Sequence, residues 1–381
     1  MHIGFVADTY KPYTSGVTHY IALNKQVLEK MGHIVSVFSF GDPRFDPGEA
    51  NVVTTRGLVL PNGYAFGLSF SPIARRAMRQ VDILHANHPF ASGAAAQREA
   101  RRANIPIVFT NHTRYDLYMR AYLPFLPPAL GRAYLTTVLP RYCRSVDRVI
   151  APSAGLAEVL RGLKVDAPLK VIPNGIDVAH FAGGDPSGWR ERLGVSTGDV
   201  LLVFVGRLSK EKNVRLLVEA FAAAASACPR AHLVLAGGGN EKAALEAIAI
   251  RAGVAGRIHF TGPLSYDQVS NLLAAADAFV TASVSEVHPL TVIEALAAGL
   301  PVVGIHSPGV SDTIRHGWNG LLAGDTQPKN LTAQIIEICR SDEARANLSA
   351  AARQSAQEYA IERTAGLLLD EYRSVIAARR A

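Results

Sequence analysis

The sequence predicts an α/β protein of two doubly wound, parallel-sheet domains with a cleft between them. Three observations carry that prediction. Short apolar runs recur along the 381 residues, each followed by a polar or glycine-rich loop and then a helical pattern. The cycle starts twice, at residues 2–7 and at 201–205, on either side of a Gly- and Pro-containing stretch, 178–198, that reads as an interdomain connection. Polar and aromatic residues gather just after the strands, where open α/β sheets bind their ligands.

In the first half, residues 2–7 (HIGFVA) form a strand and 8–17 a loop. A helix follows over about 18–31 and a second strand over 34–38. Gly16, just before that helix, lets the backbone approach a ligand phosphate closely, although many turns need a glycine for other reasons. Residues 82–90 read as a strand running into a loop, 93–103 as a helix, and 105–110 as a strand that ends in Asn111-His112-Thr113-Arg114-Tyr115. Three loops therefore converge on one sheet edge: 8–16, 85–90 and 111–118. Residues 115–139 alternate apolar residues and tyrosines with Arg120 and Arg132, and Pro124, Pro127 and Pro128 break them into two short helices. That stretch suits either an interfacial membrane segment or a core helix pair. Residues 146–151 form the next strand, and Ser153 caps the helix after it.

In the second half, strand 169–172 leads to a turn at 173–177. Strand 201–205 runs into Gly206-Arg207 and Lys212 before a helix over 214–227. Two cations at a strand-to-helix turn make a diphosphate clamp. Strand 232–236 ends in Gly237-Gly238-Gly239-Asn240, but a dinucleotide fingerprint fails at Lys242. Strand 258–260 is followed by the loop 262–265. The most informative stretch is 283–299, SVSEVHPLTVIEALAAG. Glu286 falls in the loop after strand 278–282, and Glu294 in the first turns of the next helix, which Gly299 closes. Pro289 suits the start of that helix, and the amides of Leu290 and Thr291 point toward an anion. Residues 301–305 are a further strand, and 346–379 are helical by pattern.

Composition narrows the class. With 49% hydrophobic and 19% charged residues, the chain has an ordinary soluble makeup. Cys143, Cys228 and Cys339 lie too far apart for a disulfide framework or a zinc site, which favours a reducing cytoplasm. No signal peptide precedes the first strand, and no uncharged apolar run reaches the ~18 residues that span a bilayer. Residues 51–150 hold 13 Lys and Arg against 4 Asp and Glu, a local charge of +9, whereas the remainder holds 26 against 28. Such an excess marks either an anionic partner or a set of solvated helix faces. Nucleic acid fits poorly, because no zinc finger, RRM signature or aromatic-basic platform is present.

Taken together, the Gly16 loop, His112, Gly206-Arg207 with Lys212, and Glu286-x7-Glu294 followed by Ala-Gly-Leu-Pro-Val-Val resemble the retaining, nucleotide-sugar-dependent glycosyltransferases of family 4, which have the GT-B fold. These motifs span almost the whole chain in order. The D-T-Y-x-P…G-V, His-x-x-His-Pro-Phe and T-x-H-T-x-Y-x-x-Y segments (the last over 110–118) look most like the bacterial diacylglycerol glycosyltransferases.

The resemblance implies two Rossmann-like domains facing across a cleft. Residues 1–175 would form the acceptor-binding one, with part of 360–381 packing on it, and 176–359 the nucleotide-sugar-binding one. It implies that Arg207 and Lys212, with Gly16, Leu290 and Thr291, hold the donor diphosphate. Glu294 would hold the ribose. Glu286, Val287, His288 and Pro289 would face the transferred sugar. Leu264 would lie at the uracil, and His112 would act with Glu286 in catalysis. Tyr13, His88, Tyr115 and Tyr118 are candidates for the acceptor. One departure stands out: where the family often has a Gly-Phe-Gly-like run, this chain has Val287-His288-Pro289, and Pro289 lacks an amide donor.

The implied reaction moves a hexosyl unit, of glucose type, from a UDP-sugar to a hydroxyl of a membrane lipid such as diacylglycerol. It proceeds with retention and without cofactor or metal, on the inner face of the cell membrane. A soluble sugar, polyol or polysaccharide-precursor acceptor is the alternative within the class. A sugar-nucleotide epimerase, or a non-catalytic nucleotide-sugar-binding protein, is the alternative outside it.

Overall fold

Residues 14, 61–62, 118–130, 132 and 381 apart, every residue is described by the computed structural model of the chain. The fold divides into two units, Met1–Gly175 together with Ile361–Ala381, and Ile176–Ala360.

The first unit is built on strands β1 (His2–Thr9), β2 (Ile34–Gly41), β3 (Val52–Arg56), β4 (Leu58–Val59), β5 (Ala65–Phe66), β6 (Ile83–Ala86), β7 (Ile107–Thr110), β8 (Arg148–Ala151) and β9 (Leu169–Val171). Seven of them form a parallel sheet in the order β3-β2-β1-β6-β7-β8-β9, and β4 and β5 pair apart from it as a hairpin. Strand β1 is covered on both faces, so it reads as a continuous apolar run: Ile3, Phe5, Val6 and Ala7 are all fully buried. Helix Gly16–Lys30 returns from β1 to β2, started by a reciprocal capping box between Ser15 and Thr18. Strand order reverses between β1 and β6, and the crevice at such a reversal is where the loops after those strands can hold a ligand.

The pattern over 346–379 resolves into two helices, Asp342–Ala356 and Ile361–Arg380, parted by a single turn at Gln357–Tyr359. Only the second joins the first unit. Its Leu368, Tyr372 and Val375 complete the core around Ile3, Phe5 and Ile83. The 115–139 stretch lies mostly outside the described residues; at its end Leu135 and Leu139 are buried.

The second unit carries β10 (Val200–Val205), β11 (Ala231–Ala236), β12 (Ile258–Gly262), β13 (Ala278–Val280), β14 (Val302–Ile305) and β15 (Gly320–Ala323). They form a parallel sheet in the order β12-β11-β10-β13-β14-β15. Period-two alternation along β10 serves two cores: Val200, Leu202 and Phe204 join one, Leu201 and Val203 the other. Residues 178–198 are not an interdomain connection. They fold as helices Val178–Ala182 and Trp189–Leu193, and Phe181 and Trp189 are buried in the second of those cores. Two large aromatic side chains bury more apolar surface than a solvated linker could leave exposed.

Candidate functional site

In the second unit the strand order reverses between β10 and β13, so the loops leaving those two strands flank one crevice. Three contacts lock these loops together. Lys212 Nζ donates to Glu286 Oε1 at 2.6 Å. Ser285 Oγ donates to the Glu211 carbonyl at 2.9 Å, and Asn213 Nδ2 to the Ala282 carbonyl at 3.3 Å. A third loop holds the second from behind. Gly309 has φ +83°, and a Cβ there would lie 2.7 Å from the carbonyl oxygens of both Glu286 and Val287. Only glycine allows so close an approach in that conformation.

The two glutamates sit in opposite electrostatic settings. Burial pushes the Glu286 carboxyl up, but the Lys212 ammonium, with hydrogen bonds from Lys212 and Ser283, overrides this and holds it below the ordinary value. Glu294 is buried on helix Leu290–Ala297, and among the described residues no ion pair or hydrogen bond compensates its carboxyl. Burial alone raises it to about 8. One carboxylate is therefore a fixed anion at neutral pH, and the other holds a proton.

Pro289 is the N-cap of that helix, and Leu290 and Thr291 are its first two residues. Their amides belong to the first turn, which has no intrahelical acceptors. Glu294 follows Leu290 by four residues, one turn deeper along the same face. His288 is buried and pushed down to about 4 by that burial, with its ring edge-on to Tyr359 at 5.1 Å. Val287 is buried as well.

Arg207 differs from Lys212. Its side chain is 54% exposed, and its Nη1 lies 3.8 Å from Glu211 Oε1. Leu264 is half-buried and packs, like Tyr266 and Leu290, on the core cluster around Phe279 and Ile293. The triple-glycine turn serves the backbone, because a Cβ on Gly237, φ +144°, would lie 1.9 Å from the Gly206 carbonyl oxygen. These glycines let the β11 loop pass against the Gly206–Leu208 backbone, where the Leu208 amide donates to the Gly238 carbonyl at 2.8 Å.

In the first unit, the residues after β1, β6 and β7 form a second cluster. Asp8, buried beside the reversal of strand order, accepts from the Tyr64 hydroxyl at 2.9 Å and from the Ser92 amide at 3.2 Å. The Asp8 amide donates to His88 Nδ1 at 3.2 Å, so a neutral His88 carries its proton on Nε2. Asn87 settles the state of His112. Its Nδ2 donates to the Val6 and His85 carbonyls, which turns its Oδ1 toward His112 Nε2 at 3.0 Å. His112 Nε2 is then the donor, leaving Nδ1 as a lone-pair acceptor. Burial, reinforced by His85 and His88, holds His112 well below the ordinary imidazole value.

His85 is structural: its two ring nitrogens bond Tyr372 Oη and Thr110 Oγ1, each at 2.6 Å. Gly16 is the first residue of its helix rather than the residue before it. Tyr13 packs edge-on to Tyr64 at 5.7 Å, and Tyr115 edge-on to Phe90 at 5.4 Å. Tyr118 lies outside the described residues.

The structure thus gathers Lys212, Glu286, Leu290, Thr291 and Glu294 at one crevice, and His88 and His112 at another. Sequence reasoning did not single out Asn87, Tyr64, Gly309, Ser285 or Asn213. Only Asn87 left a trace, as the polar residue inside His-Ala-Asn-His after a strand. An ammonium beside a helix N-terminus suits an anion, and a carboxyl group on either side of that helix start suits hydroxyl donors. Among the described residues, no group of three or more His, Cys, Asp or Glu is arranged to hold a metal ion, and no helix is long and apolar enough to cross a membrane.

Comparison with known proteins gives the family. The family described as Glycosyltransferase Family 4 matches residues 14–180, and the family described as Glycosyl transferases group 1 matches residues 187–355. An alpha-monoglucosyldiacylglycerol synthase of Streptococcus pneumoniae is 31% identical over 333 residues, covering 84% of this chain and 75% of that protein. The Acholeplasma laidlawii protein of the same name is 26% identical over 377 residues, covering 95% of this chain and 94% of that protein. Among solved structures, Anabaena Alr3699/HepE in complex with UDP-glucose matches with a TM-score of 0.78 at 21% identity, over 98% of this chain and 100% of that one, which speaks to the fold. By sequence and by fold, the chain belongs to the GT-B glycosyltransferases that join a family 4 domain to a group 1 domain.

Proposed function

We propose that this glycosyltransferase moves a glucose-type hexosyl unit from a UDP-sugar to a hydroxyl of a membrane lipid such as diacylglycerol, with retention and without a metal ion. The observation that carries the reading is the Lys212–Glu286 pair at the β10/β13 crevice, beside the first turn of helix Leu290–Ala297. The names of the two diacylglycerol-glucosylating relatives support the acceptor class.

In this reading the donor diphosphate takes Lys212 away from Glu286 and adds the Leu290 and Thr291 amides, with Arg207 as a second cation. Glu286, released from its partner, accepts hydrogen bonds from the hydroxyls of the sugar, with Val287, His288 and Pro289 around it. Glu294 receives the ribose hydroxyls, and Leu264 flanks the base. The bond between the anomeric carbon and the β-phosphate oxygen breaks, and charge develops on both fragments. Fixed cations and amides out of water stabilise the leaving anion. The acceptor oxygen bonds to the same face of the anomeric carbon, and its proton leaves with the departing phosphate. His112, neutral and held by Asn87, is assigned to the sugar cation and Gly16 to the phosphate. His88, Tyr13 and Tyr115 orient the acceptor.

The test is a reaction of UDP-glucose with diacylglycerol vesicles in EDTA, read by release of UDP and by the anomeric proton coupling of the glycolipid. UDP release with an α-linked lipid product is expected. Turnover only with a soluble sugar or polyol, an inverted product, or a strict metal requirement overturns the corresponding element of the proposal.

A further inference from the structure

We propose that Tyr372, His85 and Tyr20 are positioning residues for His112: a buried hydrogen-bond chain that enters the sheet from the last helix fixes the pose in which His112 presents Nδ1. The inference rests on the assignment of His112 to the reaction and names the side chains that act through it.

The chain starts on helix Ile361–Arg380. Tyr372 Oη lies 2.6 Å from His85 Nδ1, and His85 Nε2 lies 2.6 Å from Thr110 Oγ1. All three residues are buried. Burial holds the His85 imidazole down to about 3, so the ring is neutral and has a single N–H. The direction of the chain follows from Tyr372. Among the described residues its hydroxyl has no hydrogen-bond partner but His85. Were it the acceptor, its own proton would stay unpaired in the core, at a greater cost than the bond returns. Tyr372 therefore donates to Nδ1, and His85 Nε2–H donates to Thr110 Oγ1. The Thr110 hydroxyl in turn donates to the hydroxyl of Tyr20.

Two arms carry this order to His112. The side-chain arm is Tyr20, on helix Gly16–Lys30, whose ring stands edge-on to His112 at 4.7 Å and to His85 at 6.3 Å. The main-chain arm is the His85 carbonyl, which accepts Asn87 Nδ2 at 3.2 Å; Asn87 Oδ1 then accepts His112 Nε2–H at 3.0 Å. A turn of the His85 ring therefore disturbs both the aromatic wall beside His112 and the amide that holds it.

Stability alone does not call for the chain. His85 is in register with Phe5 on β1 and Val108 on β7, both members of the apolar core that Tyr372 completes. Apolar side chains of the same shape would fill that space at little or no net loss. What the polar chain adds is a fixed orientation for each ring along it.

The experiment combines nitrogen NMR of the full chain carrying isotopically labelled histidine with turnover of UDP-glucose on diacylglycerol vesicles. The native chain should show His112 with Nε2 protonated and Nδ1 bare. Tyr372→Phe and Thr110→Val should shift the His112 nitrogens and lose about fivefold or more in kcat, with the KM for UDP-glucose within about twofold of native. Thr110→Ser keeps the hydroxyl and should retain native shifts and native kcat. If Tyr372→Phe does not fold, the contrast between Thr110→Val and Thr110→Ser carries the test. His112 nitrogens that stay in place in folded Thr110→Val overturn the proposal, as does an equal change in Thr110→Ser. Where His112→Ala abolishes turnover, native kcat in folded Thr110→Val overturns it too. Full turnover in His112→Ala, with shifted His112 nitrogens in Thr110→Val, retains the positioning chain and rejects the assignment of His112 to the reaction instead. The nitrogen shifts decide by themselves if vesicle-borne diacylglycerol supports no turnover.

Discussion

Replacing Glu294 by Gln removes one titrating group from the interior of the second unit, and the effect on stability can be worked out from its burial. Burial raises that carboxyl from the ordinary 4.5 to about 8. Between those values the unfolded chain has lost the proton and the folded chain keeps it, so unfolding releases a proton and stability falls as pH rises. Each pH unit in the window costs about 1.4 kcal/mol. Measured against its value below pH 4.5, the stability of the Glu294→Gln variant relative to the native chain should rise by about 1.4 kcal/mol at pH 5.5 and about 4.4 kcal/mol at pH 8, levelling off above. Urea denaturation at half-unit steps from pH 5 to pH 8.5 measures the difference. A stability difference that stays flat across the range would refute the assignment of an uncompensated buried carboxyl. The same geometry bears on function. In the proposed function the ribose hydroxyls donate to Glu294 and favour its anion; on that reading UDP binding at pH 7 should release roughly nine tenths of a proton. Calorimetry in two buffers of different ionisation enthalpy reads that number, and Glu294→Gln should abolish it while weakening UDP more than tenfold.

The Lys212–Glu286 pair gives a second expectation. Lys212→Met leaves a largely buried carboxylate unpaired and should destabilise by about 2 kcal/mol. Adding Glu286→Gln should restore most of the stability without restoring UDP affinity; full UDP affinity in Lys212→Met would exclude this lysine from the diphosphate site. Asn87→Asp places a carboxylate 3.0 Å from His112 Nε2 and favours the imidazolium. The acidic limb of the kcat/KM profile should therefore move to higher pH, and an unmoved limb would detach His112 from the reaction. Gly309→Ala puts a Cβ against two carbonyls at φ +83° and should cost about 1–3 kcal/mol while raising the KM for donor. An alanine variant with native stability and KM would show that this loop yields.

Much of the fold was legible because its strands are covered on both faces. β10 and β14 read as unbroken apolar runs, as does β1 over residues 3–7, and glycines and polar clusters mark where each ends. The elements that escaped were short or half-exposed. Strands β4 and β5 have two residues each, β3 is an edge strand rich in threonine, and the chain turns between two helices at Gln357–Tyr359 without proline or glycine. The stretch 178–198 looked like a linker by its Gly-Gly-Asp-Pro-Ser-Gly core, but Phe181 and Trp189 flank that core and are buried.

By itself the sequence determined the residue types at each strand end and their order, because local pattern sets where a strand stops and a helix begins. It placed Lys212 and Glu286 at two such ends, 74 positions apart. The crossover order of the sheet put those ends side by side, which no local pattern encodes. Tertiary packing alone then separated the two glutamates, holding the Glu286 carboxyl down against an ammonium and raising that of Glu294 by burial. The ionisation of a carboxyl is set by what surrounds it in space, and those neighbours come from distant segments of the chain.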